Sequence, residues 1–421
     1  FNMSILDKMD ASFIFNPLDD QIDKLADLSG LHYTGVRLLM IYLITFPISI
    51  GFRIKWINRH AYSIIVGLSL QYFLFREGTI HFIIMALATK ILMHVFSRET
   101  QPWIIFCAAL SHSTFYLTVE CIYRYGSFSI NYSFYVMFLC QKLSTLGFCY
   151  RDGMGKYEKN LDSHGRRCKI NSIPSIVEII SYASYPCTCF IGPSFEYKDY
   201  INFIENKKMY TNIPFSFWKG VQKYVKGFPC LAVVIFTSAY IKPDDLGQAE
   251  FGEHDFFTQI KLCAFLVWNF KYGGYACWFF ADGTNILSGF AYGGKDEKGN
   301  PKYDQNKAFN YKKIEFGTTP REVINNWNIQ VAEWLKNYIY LRVENNDPKR
   351  RSLATVIVFL TSALWHGFMP CYYLFFLTLN LFLSSSRRIH KNQELFSFLP
   401  SYISKGLSFV LTQYLLIQLG C

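Results

Sequence analysis

The chain has 421 residues, of which 51% are apolar, 18% aromatic and only 17% charged, with a formal charge of +11. Length alone would allow two or three soluble domains, but the charged share lies below the quarter or so usual in soluble proteins and points to a membrane protein. The basic residues sit in short loops between apolar runs, where they suit anionic lipid headgroups or a phosphate-bearing substrate; no long basic arm or nucleic-acid motif accompanies them, which argues against a nucleic-acid partner.

Residues 1–31 mix Asp and Lys with apolar positions and lack the basic-then-apolar shape of a secretory signal. The chain begins at Phe1 rather than Met, as it would if an N-terminal piece were absent or processed, and residues 1–35 are expected to form an interfacial or loop segment. Apolar runs follow at 36–52, 61–75, 79–96, 103–119, 132–148, 173–191, 225–241, 256–270, 275–292, 353–368, 371–383 and 402–419. Several are shorter than the ~20 residues of a full crossing, and short helices are tolerated where they pack inside protein or line a cavity. The pattern predicts an all-α polytopic membrane protein with about nine to twelve embedded helices around an internal tunnel, residues 36–421 making one domain.

Basic clusters at Arg53, Lys55 and Arg59, at Arg166, Arg167 and Lys169, at Lys349, Arg350 and Arg351, and at Arg387, Arg388 and Lys391 mark the expected cytosolic side. The twelve Cys are scattered without paired ligand spacing, so no metal is expected, and the Cys187-x-Cys189 pair reads as small buried thiols. The polar stretch 293–326, with a Gly-Asn-Pro turn at 299–301, reads as a surface excursion.

Two segments near the C-terminal end carry the candidate chemistry. A straight helix from Arg351 to Arg387 would run about 54 Å at ~1.5 Å per residue, more than a bilayer needs, so a bend is predicted at Gly367 and Pro370. His366 then falls at the bend, where burial favours a neutral imidazole able to accept a proton. In the other segment Trp327, Val331, Trp334, Tyr338 and Leu341 recur at helical spacing, with Gln330, Glu333, Lys336 and Asn337 opposite. Asn328 goes with the buried strip of Ala332, Leu335 and Ile339, and its carboxamide can donate to an oxyanion without bringing a charge into the membrane. Taken alone, His366 fits a packed structural histidine as well as a catalyst, since His81, His94 and His112 also fall in apolar runs, and Asn328 fits a helix-to-helix hydrogen bond.

The pair WNIQVAEWLKNYIYLRV, from Trp327, and SALWHGFMPCYYLFF, from Ser362, resembles the signature of the membrane-bound O-acyltransferase (MBOAT) family. KLSTLGFCYRDG at 142–153, YASYPCTCFIGPSFEYKDYINFI at 182–204 and YACWFFADGTNILSGFAYGGKDEKGNPKYD at 275–304 agree in order, and the set most resembles the lysophospholipid acyltransferase branch. The resemblance covers about residues 142–376 and implies a helical bundle around a tunnel, entered by acyl-CoA from the cytosol and by a lipid acceptor from the side. It places the family's functional Asn on Asn328 and its functional His on His366, with acyl-CoA and lysophospholipid as substrates and no bound cofactor. One departure is Pro370-Cys371-Tyr372-Tyr373, where relatives usually carry Pro-Gly-Tyr-Tyr; Cys fits if that position needs no positive φ.

The implied reaction has His366 as general base on a glycerol hydroxyl and Asn328 as positioning or oxyanion donor. Lys336 and Arg342 are candidate phosphate contacts, with interfacial snorkelling as the alternative. Trp327, Trp334 and Trp365 wall the acyl or pantetheine path or serve as packing rings. Asp282 and Asn285 face the tunnel or make packing hydrogen bonds, and Glu196 and Asp199, after the Gly192-Pro193 turn, read as solvated or capping residues, with a headgroup contact as the alternative. The endoplasmic reticulum membrane and a homodimer are the expected setting. Another acceptor (a sterol, diacylglycerol or peptide), a transporter, and an inactive structural subunit remain as alternatives.

Overall fold

The computed structural model describes residues 16–29, 32–76, 78–123, 132–158, 161–188, 190–392 and 400–420. Among them all regular structure is helical, apart from one isolated antiparallel bridge between Lys295 and Pro301. The backbone divides into two compact units, Phe1–Pro229 with Ala276–Lys307, and Cys230–Tyr275 with Ala308–Cys421. Cys189, Cys421 and residues 1–15 lie outside the described residues.

The first unit is built on the apolar helices Tyr33–Ile48, Arg59–Phe75, Gly78–Val95, Gln101–Tyr123 and Tyr132–Asp152. A helix pairs all but its terminal backbone groups within its own segment, which is why apolar runs without neighbouring water take that form. Asn58 begins the second of these helices by accepting from the Ala61 N–H at 3.1 Å. Among the described residues, Tyr33–Arg53, Gly78–Val95 and Gln101–Ile122 are the three segments long and apolar enough to cross a membrane by length and composition. Arg59–Phe75, at 17 residues, is shorter than a full crossing.

Close approach at glycine sets part of the packing. A Cβ on Gly67 would stand 1.8 Å from the Ser184 carbonyl oxygen, so only glycine lets the Arg59–Phe75 helix meet the end of the Ile176–Ala183 helix. Tyr132–Asp152 is buried along most of its length, Lys142 included. Its ammonium donates to the carbonyls of Tyr182 and Ala183 at 3.4 and 3.2 Å and lies 4.3 Å from the Phe195 ring centre, so the negative end of a helix and a ring face balance the buried charge.

Four sequence expectations change here. The run 173–191 forms an eight-residue helix, Ile176–Ala183, followed by turns, because Pro186 and Gly192-Pro193 interrupt it and Tyr185 is drawn inward to hydrogen-bond Ser288 at 2.8 Å. The runs 256–270 and 275–292 merge into one 33-residue helix, Phe256–Ser288. Lys271, the charge that follows the first run, pairs with Glu315 at 2.9 Å, so it is neutralised and the helix continues. Of the stretch 293–326, residues 295–300 are exposed, but Ala308, Phe309, Ile314 and Val323 are buried. Short helices at Tyr311–Glu315 and Pro320–Asn326 carry those side chains inward. In the N-terminal segment, Asn16–Ser29 is helical, with Ile22 buried and Asp19 bonded to Arg37 and Arg76 at 2.8 Å each.

In the surface turn Asp296 accepts from the backbone N–H groups of Asn300 at 2.7 Å and Lys298 at 2.9 Å. The Asn300 bond holds its carboxyl below the ordinary carboxylate range.

Candidate functional site

Asn328 occupies a break between two short helices. Thr319 opens the first, Pro320–Asn326, by accepting from the Glu322 N–H at 3.2 Å. The chain is pinned on both sides of Asn328: Asn310 N–H donates to the Asn326 carbonyl at 3.0 Å, and Ile329 N–H to the Ala308 carbonyl at 2.7 Å. Between these anchors Asn328 takes φ 43° and ψ 58°, the left-handed region that Asn tolerates better than most residues. It stands at the N-cap of Ile329–Leu335, and its carbonyl receives the Val331 and Ala332 N–H groups at 3.0 and 3.2 Å. Its side chain makes no capping bond. An Asn at this position ordinarily caps with its side-chain oxygen; here the half-buried carboxamide is not used for that.

This corrects the reading of one continuous helix through Trp327 and Asn328. A second irregularity follows, a π turn at Lys336–Tyr340 in which the Leu341 N–H bonds the Lys336 carbonyl five residues back. The wider turn shifts every later side chain around the axis, so Asn337, expected on the solvent face, is buried and its carbonyl accepts from Arg342 Nε at 3.0 Å. Glu333 and Lys336 remain exposed. Trp327 packs at 6.0 Å from Phe270 and 5.9 Å from Tyr275 between ring centres.

His366 ends the Arg351–His366 helix, as expected from the bend. Gly367 follows with φ 118°, a conformation that suits glycine, and its N–H closes the helix on the Ala363 and Leu364 carbonyls. Pro370 then starts Pro370–Lys391, where a missing N–H does no harm. Cys371 lies inside that helix and is not among the positive-φ residues, so the Gly-to-Cys departure leaves the local geometry intact. The half-buried imidazole is ringed by Trp365 at 4.9 Å, Tyr372 at 5.4 Å and Phe376 at 5.4 Å. No hydrogen-bond partner for it is found among the described residues.

Trp334 and Trp365, both 3% exposed, meet at 6.0 Å between ring centres. Trp365 adjoins His366, and Trp334 lies about 9 Å along the chain axis from Asn328 at ~1.5 Å per residue, so this ring pair ties the two candidate elements together within the second unit. Trp327, Lys336 and Arg342 belong to the same unit; Asp282 and Asn285 belong to the first. Asp282 is bonded to Lys223 at 3.1 Å, and Asn285, 1% exposed, has neither side-chain polar atom hydrogen-bonded.

One cluster escaped sequence reading. Glu196 and Asp199 are neither solvated nor side-chain caps: Asp199 is bonded to Arg167, and Glu196 lies 3.3 Å from His164 Nε2. Cys168 Sγ is 3.7 Å from the same nitrogen. His164 and Cys168 stand four apart on the helix Ser163–Cys168, which is the signal in the sequence, beside Arg166 and Arg167, whose charges read as a cytosolic marker. The donor-only Arg167 guanidinium faces His164 Nδ1 at 3.4 Å and places the ring proton on Nε2, toward Glu196, which suits a hydrogen-bond chain better than metal ligation.

The pattern of the MBOAT, membrane-bound O-acyltransferase family matches residues 133–420, more than half of the chain. The chain belongs to this family. As an MBOAT protein it is an integral membrane O-acyltransferase. Similar proteins include human membrane-bound glycerophospholipid O-acyltransferase 1, 29% identical over 392 residues, covering 87% of this chain and 78% of the relative. Lysophospholipid acyltransferase 6 of Drosophila melanogaster is 28% identical over 389 residues, 84% of this chain and 52% of the relative. Lysophospholipid acyltransferase of Schizosaccharomyces pombe is 27% identical over 380 residues, 86% of this chain and 73% of the relative.

Proposed function

We propose that this MBOAT protein remodels phospholipids by moving a fatty acyl chain from acyl-CoA to the free glycerol hydroxyl of a lysophospholipid. His366 takes the hydroxyl proton as the oxygen attacks the thioester carbonyl. The carbon–sulfur bond then breaks, and the imidazolium returns its proton to the departing CoA sulfur, leaving acylated phospholipid and free thiol without an acyl-enzyme. Asn328 donates from its carboxamide to the oxygen on which charge develops.

The observation that carries this reading is the state of the two side chains. A carboxamide at an N-cap that does not cap, and an imidazole set among Trp365, Tyr372 and Phe376, are polar groups that folding leaves available to a substrate. Aromatic walls also exclude water, which would otherwise hydrolyse the donor. Lys336, exposed at the start of the π turn, and Arg342 are the proposed contacts for CoA phosphates. Trp327, Trp334 and Trp365 flank the acyl path. Residues 36–421 work as one acyltransferase domain of nine to twelve embedded helices around a tunnel, in the endoplasmic reticulum membrane and as a homodimer. The relatives' printed names, glycerophospholipid O-acyltransferase and lysophospholipid acyltransferase, support this acceptor class.

The test is thiol release by the purified protein in lipid nanodiscs, given a panel of lysolipids and acyl-CoAs. Release that depends on a lysolipid and disappears in a well-folded His366→Ala protein is expected. Undiminished turnover in that variant removes the mechanism, and solute flux without thioester consumption would mark a transporter instead.

A further inference from the structure

In the first unit the helix Phe217–Tyr224 buries one side and leaves aromatic rings on the other. Its inner face is committed to neighbouring chain. Gly220 is buried, where a Cβ would stand 3.2 Å from the Gly283 carbonyl oxygen, and the Tyr224 ring lies 4.8 Å from Phe280 and 4.3 Å from Phe46 between ring centres. This contact fixes which way the helix faces. Trp218 is 71% exposed and Phe215 61%, and Phe217, Val225 and Phe228 are exposed beside them. Lys219, Lys223 and Lys226 recur four and three residues apart, the spacing of one helix side. Lys223 is bonded to Asp282 at 3.1 Å, whereas Lys219 and Lys226 are exposed.

Charge and apolar surface together select what covers this face. Residues 206–241 hold five lysines and no acidic residue. Water alone would solvate the rings poorly, and a soluble anion would meet the lysines but not the rings. An anionic leaflet meets both within the depth of one side chain, with the acyl boundary for Trp218 and Phe217 and phosphate or carboxylate for the ammonium groups. Eight residues span about 12 Å at ~1.5 Å per residue, too short to cross a bilayer, and the apolar helix Gly227–Ser238 follows directly, so this short helix stands at the edge of an embedded run. Arg53, from a cluster expected on the cytosolic side, lies 5.2 Å from the Phe215 ring centre, and the cytosolic leaflet is the one that carries anionic lipid.

We infer that Phe217–Tyr224, with Phe215 and Lys226 at its ends, lies flat in the membrane interface and binds anionic phospholipid there. Trp218 and Phe217 insert among the acyl chains, while Lys219 and Lys226 hold the headgroup charge. This contact needs neither acyl-CoA nor turnover, so it stands apart from the acyl-transfer reading.

The experiment uses the full chain in phosphatidylcholine nanodiscs containing about one-fifth phosphatidylserine, with the same mole fraction of brominated chains carried either on the phosphatidylserine or on the phosphatidylcholine. Bromine quenches a tryptophan that it touches, and subtracting the signal of Trp218→Phe isolates Trp218. The expected result is quenching by both lipids, about twofold stronger when the bromine is on phosphatidylserine, since each lysine near the surface favours anionic lipid. The excess should vanish in the protein carrying both Lys219→Gln and Lys226→Gln, and in wild type at about 1 M salt, where charges are screened beyond ~3 Å. The salt arm needs no lysine variant and decides the matter if the double variant does not fold. Absence of quenching by either lipid overturns the inference and marks a face covered by protein. Equal quenching by the two lipids overturns it as well, as does an excess that survives salt and both lysine changes.

Discussion

Around Tyr182, Tyr185 and Tyr200 in the first unit, each hydroxyl is held: Tyr182 donates to the Phe195 carbonyl at 2.7 Å, Tyr185 pairs with Ser288 at 2.8 Å, and Tyr200 donates to the Ser181 carbonyl at 2.9 Å. At Asn328 and His366 in the second unit the opposite holds, with a cap position that does not cap and an imidazole met by rings. Asn269 sharpens the contrast inside the second unit, since its amide donates to Ser238 Oγ at 2.7 Å and the Val234 carbonyl at 3.1 Å. Polar groups that folding consumes rigidify a core; those it leaves open are where substrate chemistry has room.

The contrast breaks first at the site. His366→Ala is expected to lower thiol release by ~10²- to 10⁴-fold with only a small fall in melting temperature, because the ring supports no hydrogen-bond network among the described residues and only its aromatic contacts are lost. Asn328→Gly tests the carboxamide apart from the backbone. Glycine accepts φ 43°, whereas Ala there adds about 1–2 kcal/mol of strain, so Asn328→Gly should lose activity by ~10²- to 10³-fold while folding at least as well as Asn328→Ala. Equal activity in Asn328→Gly and wild type would show that the position matters only for its backbone.

In the first unit the order of effects reverses. Gly67→Ala forces a Cβ toward the Ser184 oxygen and is expected to destabilise by about 3 kcal/mol or more, read as a lowered melting temperature in detergent. Tyr185→Phe removes one hydroxyl from Ser288 and should cost about 1 kcal/mol, with turnover per folded molecule retained. A tyrosine variant that melts normally but loses acyl transfer would erase the distinction between the two regions.

The bend after His366 was legible because Gly367 and Pro370 act through their own backbone chemistry, and the structure ends one helix and starts the next there. Charge misled at Lys271, where the Phe256–Ser288 helix runs on with the lysine neutralised by a residue 44 positions away. The π turn at Lys336–Tyr340 left no mark in the apolar spacing, so Asn337 was assigned to the wrong face. Apolar content also overstated the run 173–191, whose turns depend on where Tyr182 and Tyr185 find acceptors.

Residue chemistry alone established a helical membrane protein, the break beside His366 and the family to which Asn328 and His366 point, because apolar length, glycine, proline and local motifs act over a few neighbouring positions. The left-handed turn at Asn328, the pairing that carries Lys271 through a helix and the Lys223–Asp282 pair came from contacts distant along the chain. They arise when backbone and charged groups far apart in order must satisfy one another in a medium where water cannot do it for them.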